Sequence, residues 1–296
     1  MHVEPTLGAL PIDKFGVEHV TALYRKLQSA GVSTSMISRA ARVMHRAIGV
    51  AIQQGQFQRP NPFGLVERPR VRASVETTVL DIAQATAFLA ALRAVDDRYE
   101  ALFSILITAG LRLGEALALR WSDIDSKKRT IAVRRSLSQA GGHHAFKATK
   151  TAKSRRSVEF GQIVHDALTR RAIAHKAEGH GSDLIFCTES GGPAWTYPLR
   201  VKHFYPALER AGLPRIRIHD LRHSMTSIGL ATGTDVKVLA ERLGHSTTRL
   251  TADRYSHVLP GMQRVAADAI DAAIGGKLKA RFRLLGIKKA EPPTVE

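Results

Sequence analysis

Residues 219–257 contain the motifs that decide the fold, and they read HDLRHSMTSIGLATGTDVKVLAERLGHSTTRLTADRYSH. His219 and Arg222 are three positions apart, so a helix would project both side chains from one face toward a shared anion. The Leu-Gly pair before His245 is typical of a helix end that exposes the next residue at a turn. Tyr255 follows ten residues later. Each feature alone is common without a function, and only their order and spacing together indicate one.

An arginine further upstream extends this pattern. The segment Thr108-Ala-Gly-Leu-Arg112-Leu-Gly-Glu115 places Arg112 at the predicted start of a short helix, after an apolar helix and a glycine. Glu115 lies three residues later, close enough to hold the guanidinium in place. An arginine at such a position is by itself usually a surface residue, so its functional interpretation depends on the motifs downstream.

The charge balance favours a polyanionic partner. The chain has 296 residues with 44 Lys and Arg against 26 Asp and Glu, a formal net charge of +18. Each phosphate neutralised by Lys or Arg releases condensed counterions, so nucleic acid is the first candidate and an anionic membrane surface the second. A protein that is merely basic is the alternative.

Cysteine usage and hydropathy indicate where the protein works. The single cysteine, Cys187, excludes an internal disulfide framework, and its apolar neighbours predict a buried side chain. The sequence has neither an apolar stretch of about 18 residues nor the pattern of a signal peptide at its start. These features predict a cytoplasmic protein without membrane association.

Composition divides the chain into four parts. Residues 1–58 are predicted to form a helical domain, 59–79 a linker rich in Pro and Arg, 80–275 a second domain, and 276–296 a basic tail. In the first domain, the helix that Ser33 or Ser35 would cap carries a basic stripe. Arg39, Arg42 and Arg46 form this stripe, which is either a DNA-binding face or a solvated one.

The second domain is predicted to be mainly helical around a small sheet. A helix capped by Asp81 comes first, followed by an apolar and therefore central helix from Tyr99 to Thr108. Thr130–Leu137 and Arg155–Phe160 are predicted strands joined by a long loop rich in Gly, His and Lys. Helices fill the rest. The expected fold class is mainly α with a small antiparallel β-sheet, α+β.

Taken together, Arg112, the HDLRHS and LGHS boxes and Tyr255 closely resemble the signature of the tyrosine recombinase, or phage integrase, family. The resemblance runs from about residue 7 to about residue 262. It implies a helical core-binding domain followed by a catalytic domain. It also implies that Arg112, His219, Arg222, His245 and Tyr255 form the active site, together with a lysine from the sheet hairpin.

The position of that lysine is the open point in the resemblance. Lys150, which precedes Thr151, fits the family pattern best, and Lys153 is the alternative. Lys147 and Lys153 are otherwise expected to contact DNA. Glu115 matches an acidic position of the family that supports the first arginine.

The chemistry of phosphodiester cleavage explains these residue types. Two arginines can bind the non-bridging oxygens bidentately, and His245 can donate a further hydrogen bond. Tyr255 must lose its proton during attack, for which His219 is the candidate base, and Lys150 can protonate the leaving 5′-oxygen. The 3′-phosphotyrosyl bond conserves energy for rejoining, so no cofactor is expected. No metal is expected either, since Asp123 with Asp125 and His143 with His144 are weak ligand sets.

The resemblance further implies a clamp around double-stranded DNA that acts as a homotetramer, with an accessory DNA-bending protein as a possible partner. Residues 262–285 would dock onto a neighbouring protomer. A binding-only relic, a type IB topoisomerase-like enzyme and a metal-dependent nuclease are the competing interpretations. The resemblance also implies an arm-binding domain and a first core-binding helix before Pro5, so we expect either that the sequence begins inside a longer frame or that it is a shortened member of the family. We therefore expect Val20, Leu23 and Val43 to be exposed.

Overall fold

The computed structural model describes residues 3–69, 78–148 and 155–244. The predicted site residues Lys150, Lys153, His245 and Tyr255, and the segment 262–285, lie outside these ranges. The chain divides into two compact units, Met1–Glu76 and Thr77–Glu296. The described residues are mainly helical with small antiparallel sheets, so the predicted fold class is confirmed.

Helices build the first unit, and the predicted cap at Ser33 is present. Ser33 accepts a hydrogen bond from the Met36 amide at 3.3 Å and so caps the longest helix. Gly31, with φ of +69°, separates this helix from the one before it. The helices are α1 (Glu4–Leu7), α2 (Val17–Ser29), α3 (Thr34–Gln53) and α4 (Pro62–Leu65).

The core of the first unit corrects the expectation of an exposed apolar face. Val20 and Leu23 are fully buried, because Leu7 and Phe15 from the start of the chain pack into the same cluster. Only Val43 behaves as expected, with 63% of its surface exposed. The short segment before α2 therefore covers the residues that a further helix was expected to cover.

The predicted linker, 59–79, differs from the structure in its first part. Phe63 of α4 is 1% exposed and belongs to the first core, and Arg59 donates from Nη2 to the carbonyl of Phe15 at 3.0 Å. Three prolines and several arginines favour an extended chain, but burial of Phe63 and the hydrogen bonds of Arg59 and Asn61 hold this segment against the first unit.

In the second unit, helices surround the mostly apolar helix α6 (Glu100–Thr108). Asp81 caps α5 by accepting from the Gln84 amide at 2.8 Å, as predicted. Every residue from Ala101 to Ile107 in α6 is buried, and α6 packs against α8 and α11. Among the described helices, none is both long and apolar enough to cross a lipid bilayer. The helices are α5 (Ile82–Arg93), α6 (Glu100–Thr108), α7 (Leu113–Leu117), α8 (Gln162–Glu178), α9 (Thr196–Pro198), α10 (Tyr205–Arg210), α11 (Asp220–Ala231) and α12 (Val236–Leu243).

The sheet differs from the prediction in one respect. The run Thr130–Leu137 splits into two strands, and part of the expected loop is a strand itself, paired with the second of them. Gly141 and Gly142, with φ of +60° and +78°, form the turn of this extra hairpin. The strands are β1 (Ile124–Asp125), β2 (Thr130–Val133), β3 (Arg135–Ala140), β4 (His143–Ala148) and β5 (Arg156–Glu159), arranged as the sheets β1-β2-β5 and β3-β4.

Candidate active site

Arg112 occupies the corner between α6 and α7. The chain leaves α6 after Thr108 and turns at Gly110, whose φ of +69° a residue with a side chain rarely adopts. A Cβ on Gly110 would also lie 2.1 Å from the Cε atom of Met225. The tight turn brings Arg112 to the N-cap of α7 with 43% of its side chain exposed. Its guanidinium is therefore accessible to a ligand.

Glu115 holds Arg112 in the way that the sequence predicts. Its carboxylate accepts from the Arg112 amide at 2.9 Å and from Arg112 Nη1 at 2.8 Å. The Glu115 side chain is only 4% exposed. A buried carboxylate thus supports a guanidinium that reaches solvent.

Arg156 of β5 is a second partner of Glu115, and the sequence analysis missed it. Its Nη1 and Nη2 donate to the two oxygens of Glu115 at 3.2 and 2.9 Å. Its Nε donates to the carbonyl of Arg242 at 2.7 Å, near the end of α12. The alternation of the strand could have revealed this position, because Arg156 shares a face with the buried residues Val158 and Phe160.

The two arginines keep Glu115 ionised. Burial by itself would raise the pKa of this carboxyl group. Hydrogen bonds and charge from Arg156, followed by those from Arg112, outweigh burial and hold the pKa below its usual value. The group therefore carries its negative charge at neutral pH.

Arg222 connects the Arg112 corner to the end of α12. It lies in α11 and is 5% exposed. One Nη atom donates to the carbonyl of Gly110 and the other to the carbonyl of Leu243, the latter at 2.6 Å. Both acceptors are main-chain groups, so the guanidinium of Arg222 fixes the backbone on two sides of the site.

His219 stands at the N-cap of α11, beside both arginines. Partial burial of the ring lowers the pKa of His219, and the positive charges of Arg222, Arg217 and Arg112 lower it further, against the opposing effect of Asp220. The ring of His223 packs nearly perpendicular to it at a centroid distance of 5.0 Å. His219 is therefore neutral at pH 7, the form that can accept a proton.

The structure brings four predicted residues together: Arg112, Glu115, His219 and Arg222. Of the predicted DNA-binding residues, Lys153 lies outside the described ranges. Lys147 is exposed on β4, opposite Ser136 of β3, in a hairpin that packs against α7. Arg39, Arg42 and Arg46 are exposed on α3 of the first unit, at a spacing that places them on one helix face.

One group of residues in the second unit has the composition of a metal site. His175, Glu178, His180 and Cys187 offer ligand atoms that lie within 4.8 Å of one another. Most of these atoms instead make hydrogen bonds to two arginines. Glu178 receives hydrogen bonds from Arg98 and Arg171, and His175 Nδ1 lies 3.3 Å from Arg171 Nη2.

The balance of charge in this group also disfavours a cation. Burial opposes ionisation of Glu178, but hydrogen bonds from Arg171, Arg98 and His180 lower its pKa to about 2. Two guanidinium groups already neutralise the single carboxylate. We interpret the group as a structural arginine–carboxylate network beneath Cys187, which is buried as the sequence predicts.

Comparison with known families and sequences gives consistent results. Residues 78–261 match the phage integrase family. The chain is 24% identical over 279 residues to the ICEBs1 integrase of Bacillus subtilis, covering 91% of this chain and 74% of the relative. It is 26% identical over 271 residues to a XerC-like tyrosine recombinase of Caldanaerobacter subterraneus, covering 84% of this chain and 68% of the relative.

Solved structures show the same fold. The Tn1549 transposon integrase in complex with a circular intermediate DNA superposes with a TM-score of 0.74 at 22% identity, covering 89% of this chain and 88% of that one. A lambda integrase bound to a core site gives a TM-score of 0.61 at 15% identity, with coverage of 86% and 68%. The XerA recombinase gives 0.53 at 19% identity, with coverage of 90% and 87%.

Proposed function

The chain belongs to the phage integrase family, whose members are site-specific tyrosine recombinases. From this membership we propose the substrate of the recombination reaction and the residues that catalyse it. The substrate is double-stranded DNA at a specific site. The catalytic residues are Arg112, His219 and Arg222, together with Lys150, His245 and Tyr255 from the part of the chain outside the described residues.

The observation that carries this proposal is the juxtaposition of an accessible arginine with a neutral histidine. Arg112 presents its guanidinium to solvent while a buried carboxylate holds it, and Arg222, three residues after His219, donates to the carbonyl of Gly110 in the turn before Arg112. A planar guanidinium matches a phosphate in charge and geometry. A neutral imidazole beside it can take the proton of an attacking hydroxyl group. The corner is thus suited to a reaction in which a hydroxyl group attacks a phosphodiester.

The proposed reaction balances without a further reactant. The phenolic oxygen of Tyr255 attacks the phosphorus, the bond to the 5′-oxygen breaks, and a 3′-phosphotyrosyl bond forms. The phenolic proton passes to His219, and Lys150 donates a proton to the leaving 5′-oxygen, with Lys153 as the alternative donor. His245 donates a hydrogen bond to the phosphate. Attack by another 5′-hydroxyl group reverses these steps and releases Tyr255.

DNA binding beyond the reacting phosphate is assigned to exposed basic residues. Arg39, Arg42 and Arg46 on α3 and Lys147 on β4 are exposed, and Lys153 is added from the sequence. The net charge of +18 supports a polyanionic substrate. A homotetramer on two DNA sites, an accessory DNA-bending protein and a cytoplasmic location complete the proposal.

Covalent capture tests this function directly. Purified protein is mixed in EDTA with DNA from the flanks of its own gene and resolved on denaturing gels. We expect a protein–DNA adduct that resists SDS and disappears in Tyr255→Phe. Tyr197→Phe is the matched control, because Tyr197 is an exposed tyrosine in the same unit with 68% of its surface exposed.

The remaining outcomes separate the alternatives. Salt-sensitive binding without an adduct at any flank would favour a protein that only binds DNA. Relaxation of supercoiled plasmid without a partner site would favour topoisomerase-like activity. An adduct that persists in Tyr255→Phe would refute the assignment of the nucleophile.

A further inference from the structure

We propose that Arg156 is a positioning residue of the strand-transfer reaction, which fixes the orientation of Arg112 through Glu115 and ties this pair to the end of α12. The inference rests on the proposed function, because it assigns a role relative to Arg112. It concerns a residue that no motif of the active site contains.

The carboxylate of Glu115 accepts two hydrogen bonds from each of two arginines. Its Oε1 accepts from Nη1 of Arg112 at 2.8 Å and from Nη1 of Arg156 at 3.2 Å. Its Oε2 accepts from the Arg112 amide and from Nη2 of Arg156, both at 2.9 Å. The one buried carboxylate therefore fixes the orientation of both guanidinium groups.

The two arginines differ in what they offer to a substrate. The side chain of Arg156 is 8% exposed, whereas that of Arg112 is 43% exposed. Nε of Arg156 donates to Arg242, and its two Nη atoms donate to Glu115. Arg156 therefore acts on the protein and not on the substrate.

Packing around Arg156 links the Arg112 corner to the segment that leads to His245. Its Nε donates to the carbonyl of Arg242, which is two residues before Gly244. A Cβ on Gly244 would stand 2.9 Å from Nη1 of Arg156, so the glycine leaves room for the guanidinium. Gly244 also has φ of +64°, which closes α12 in a conformation that favours glycine. One side chain from β5 thus contacts both α7 and the end of α12.

Loss of Arg156 has a specific consequence for Arg112. Glu115 would stay buried with only the two hydrogen bonds from Arg112. An under-compensated buried carboxylate attracts the remaining guanidinium, which would turn Arg112 inward and away from a phosphate. Because a misplacement of about 1 Å can cost about 100-fold in rate, we expect the cleavage step to suffer more than DNA affinity.

Hydrogen exchange tests the positioning without any DNA. In Arg156→Met we expect amide exchange in peptides covering residues 110–117 and 240–244 to rise about tenfold or more relative to the wild type. Arg170→Met is the matched control, because Arg170 pairs with Glu100 through two hydrogen bonds in another part of the unit. Unchanged exchange at residues 110–117 would overturn the proposal, whatever the protein does to DNA.

A double-mutant cycle tests whether Arg156 acts through Arg112. At saturating DNA, we expect Arg156→Met to lower the rate constant of covalent adduct formation about 10- to 100-fold, with a Kd within about threefold of the wild type. In an Arg112→Ala background, the same substitution should lower the rate less than threefold further. Equal effects in both backgrounds would show independent roles and overturn the proposal.

A conservative variant distinguishes a loss of positioning from a loss of folding. Arg156→Lys keeps the charge but can make only part of the three-way contact, so its rate should fall between those of the wild type and Arg156→Met. A wild-type protein without any adduct would contradict the proposed function instead, and the exchange experiment would still decide whether Arg156 positions Arg112.

Discussion

The guanidinium of Arg222 donates from Nη2 to the carbonyl oxygen of Leu243 at 2.6 Å. The bond joins the first turn of α11 to the last residue of α12, and the other Nη atom reaches back to Gly110 in the turn before Arg112. A residue assigned to phosphate binding is therefore also a structural link between three chain segments. Substitutions of Arg222 should affect stability and catalysis together.

We predict that Arg222→Lys loses stability and nearly all activity. Lysine has one nitrogen in place of the two Nη atoms that reach the carbonyls of Gly110 and Leu243, so the free energy of unfolding should fall by about 1–3 kcal/mol. The rate of covalent adduct formation should fall about 100-fold or more. Chemical denaturation and timed SDS gels measure the two effects. Arg210→Lys, at an exposed position of α10, should change neither, and a fully active Arg222→Lys would contradict the assignment.

His219 should titrate below the range of an ordinary histidine. Burial and then the charge of Arg222 lower its pKa from 6.5, so the neutral ring persists to more acidic pH. Stability linked to this group is present above the unfolded pKa of 6.5 and is lost as pH falls through the lower folded pKa. NMR titration, with His219→Gln to identify the signal, measures the pKa.

The rate of adduct formation should share this dependence. If His219 is the base, the rate falls on the acid side with an apparent pKa below 6.5. A ring that titrates above 6.5 would contradict the lowered pKa, and a rate that does not fall on the acid side would contradict the role of His219 as base.

Glu178 should make stability depend on acid pH. Burial would raise the pKa of Glu178, but hydrogen bonds from Arg171 and Arg98 lower it to about 2. The ionised carboxylate therefore stabilises the fold fully above about pH 4.5, and this stabilisation is lost as the pH falls toward 2. With 20% of the side chain exposed, we expect Glu178→Gln to cost about 1–3 kcal/mol at pH 7 and much less at pH 2.5. Urea unfolding at both pH values provides the comparison.

The control for this prediction is Glu209→Gln, which removes an exposed carboxylate from α10 of the same unit. Its effect should be close to zero at both pH values. A Glu178→Gln variant with the same loss at pH 2.5 as at pH 7 would show that the network does not depend on ionised Glu178.

Two glycines within helices should respond oppositely to alanine. A Cβ on Gly114 of α7 would lie 2.6 Å from the backbone oxygen of Leu137 in β3, which cannot yield without moving the hairpin. We expect Gly114→Ala to cost about 1–3 kcal/mol. Gly49 of α3 has open space around the same position, so Gly49→Ala should stabilise the first unit by about 0.5–1 kcal/mol. Thermal unfolding of each unit measures both, and a stabilising Gly114→Ala would contradict the packing of α7 on β3.

Local signals predicted most of the helices and one contact of the candidate site. The Asp81 and Ser33 caps and the apolar run of α6 follow from the chemistry of a few neighbouring residues. The extra hairpin was missed because β4 is almost entirely exposed and lacks the alternation that marks a half-buried strand. Its Gly141-Gly142 turn was the available signal.

The sequence alone determined the order of the motifs and the pairs that helix geometry creates. Arg112 and Glu115 meet because three residues at a helix start span one turn, and His219 shares its face with Arg222 for the same reason. Tertiary structure decided the rest. Arg156 meets Glu115 across 41 residues and Arg222 meets Gly110 across 112 residues. Such contacts depend on how strands and helices pack, which no local spacing encodes, and they decide which arginine faces solvent and which holds the site from within.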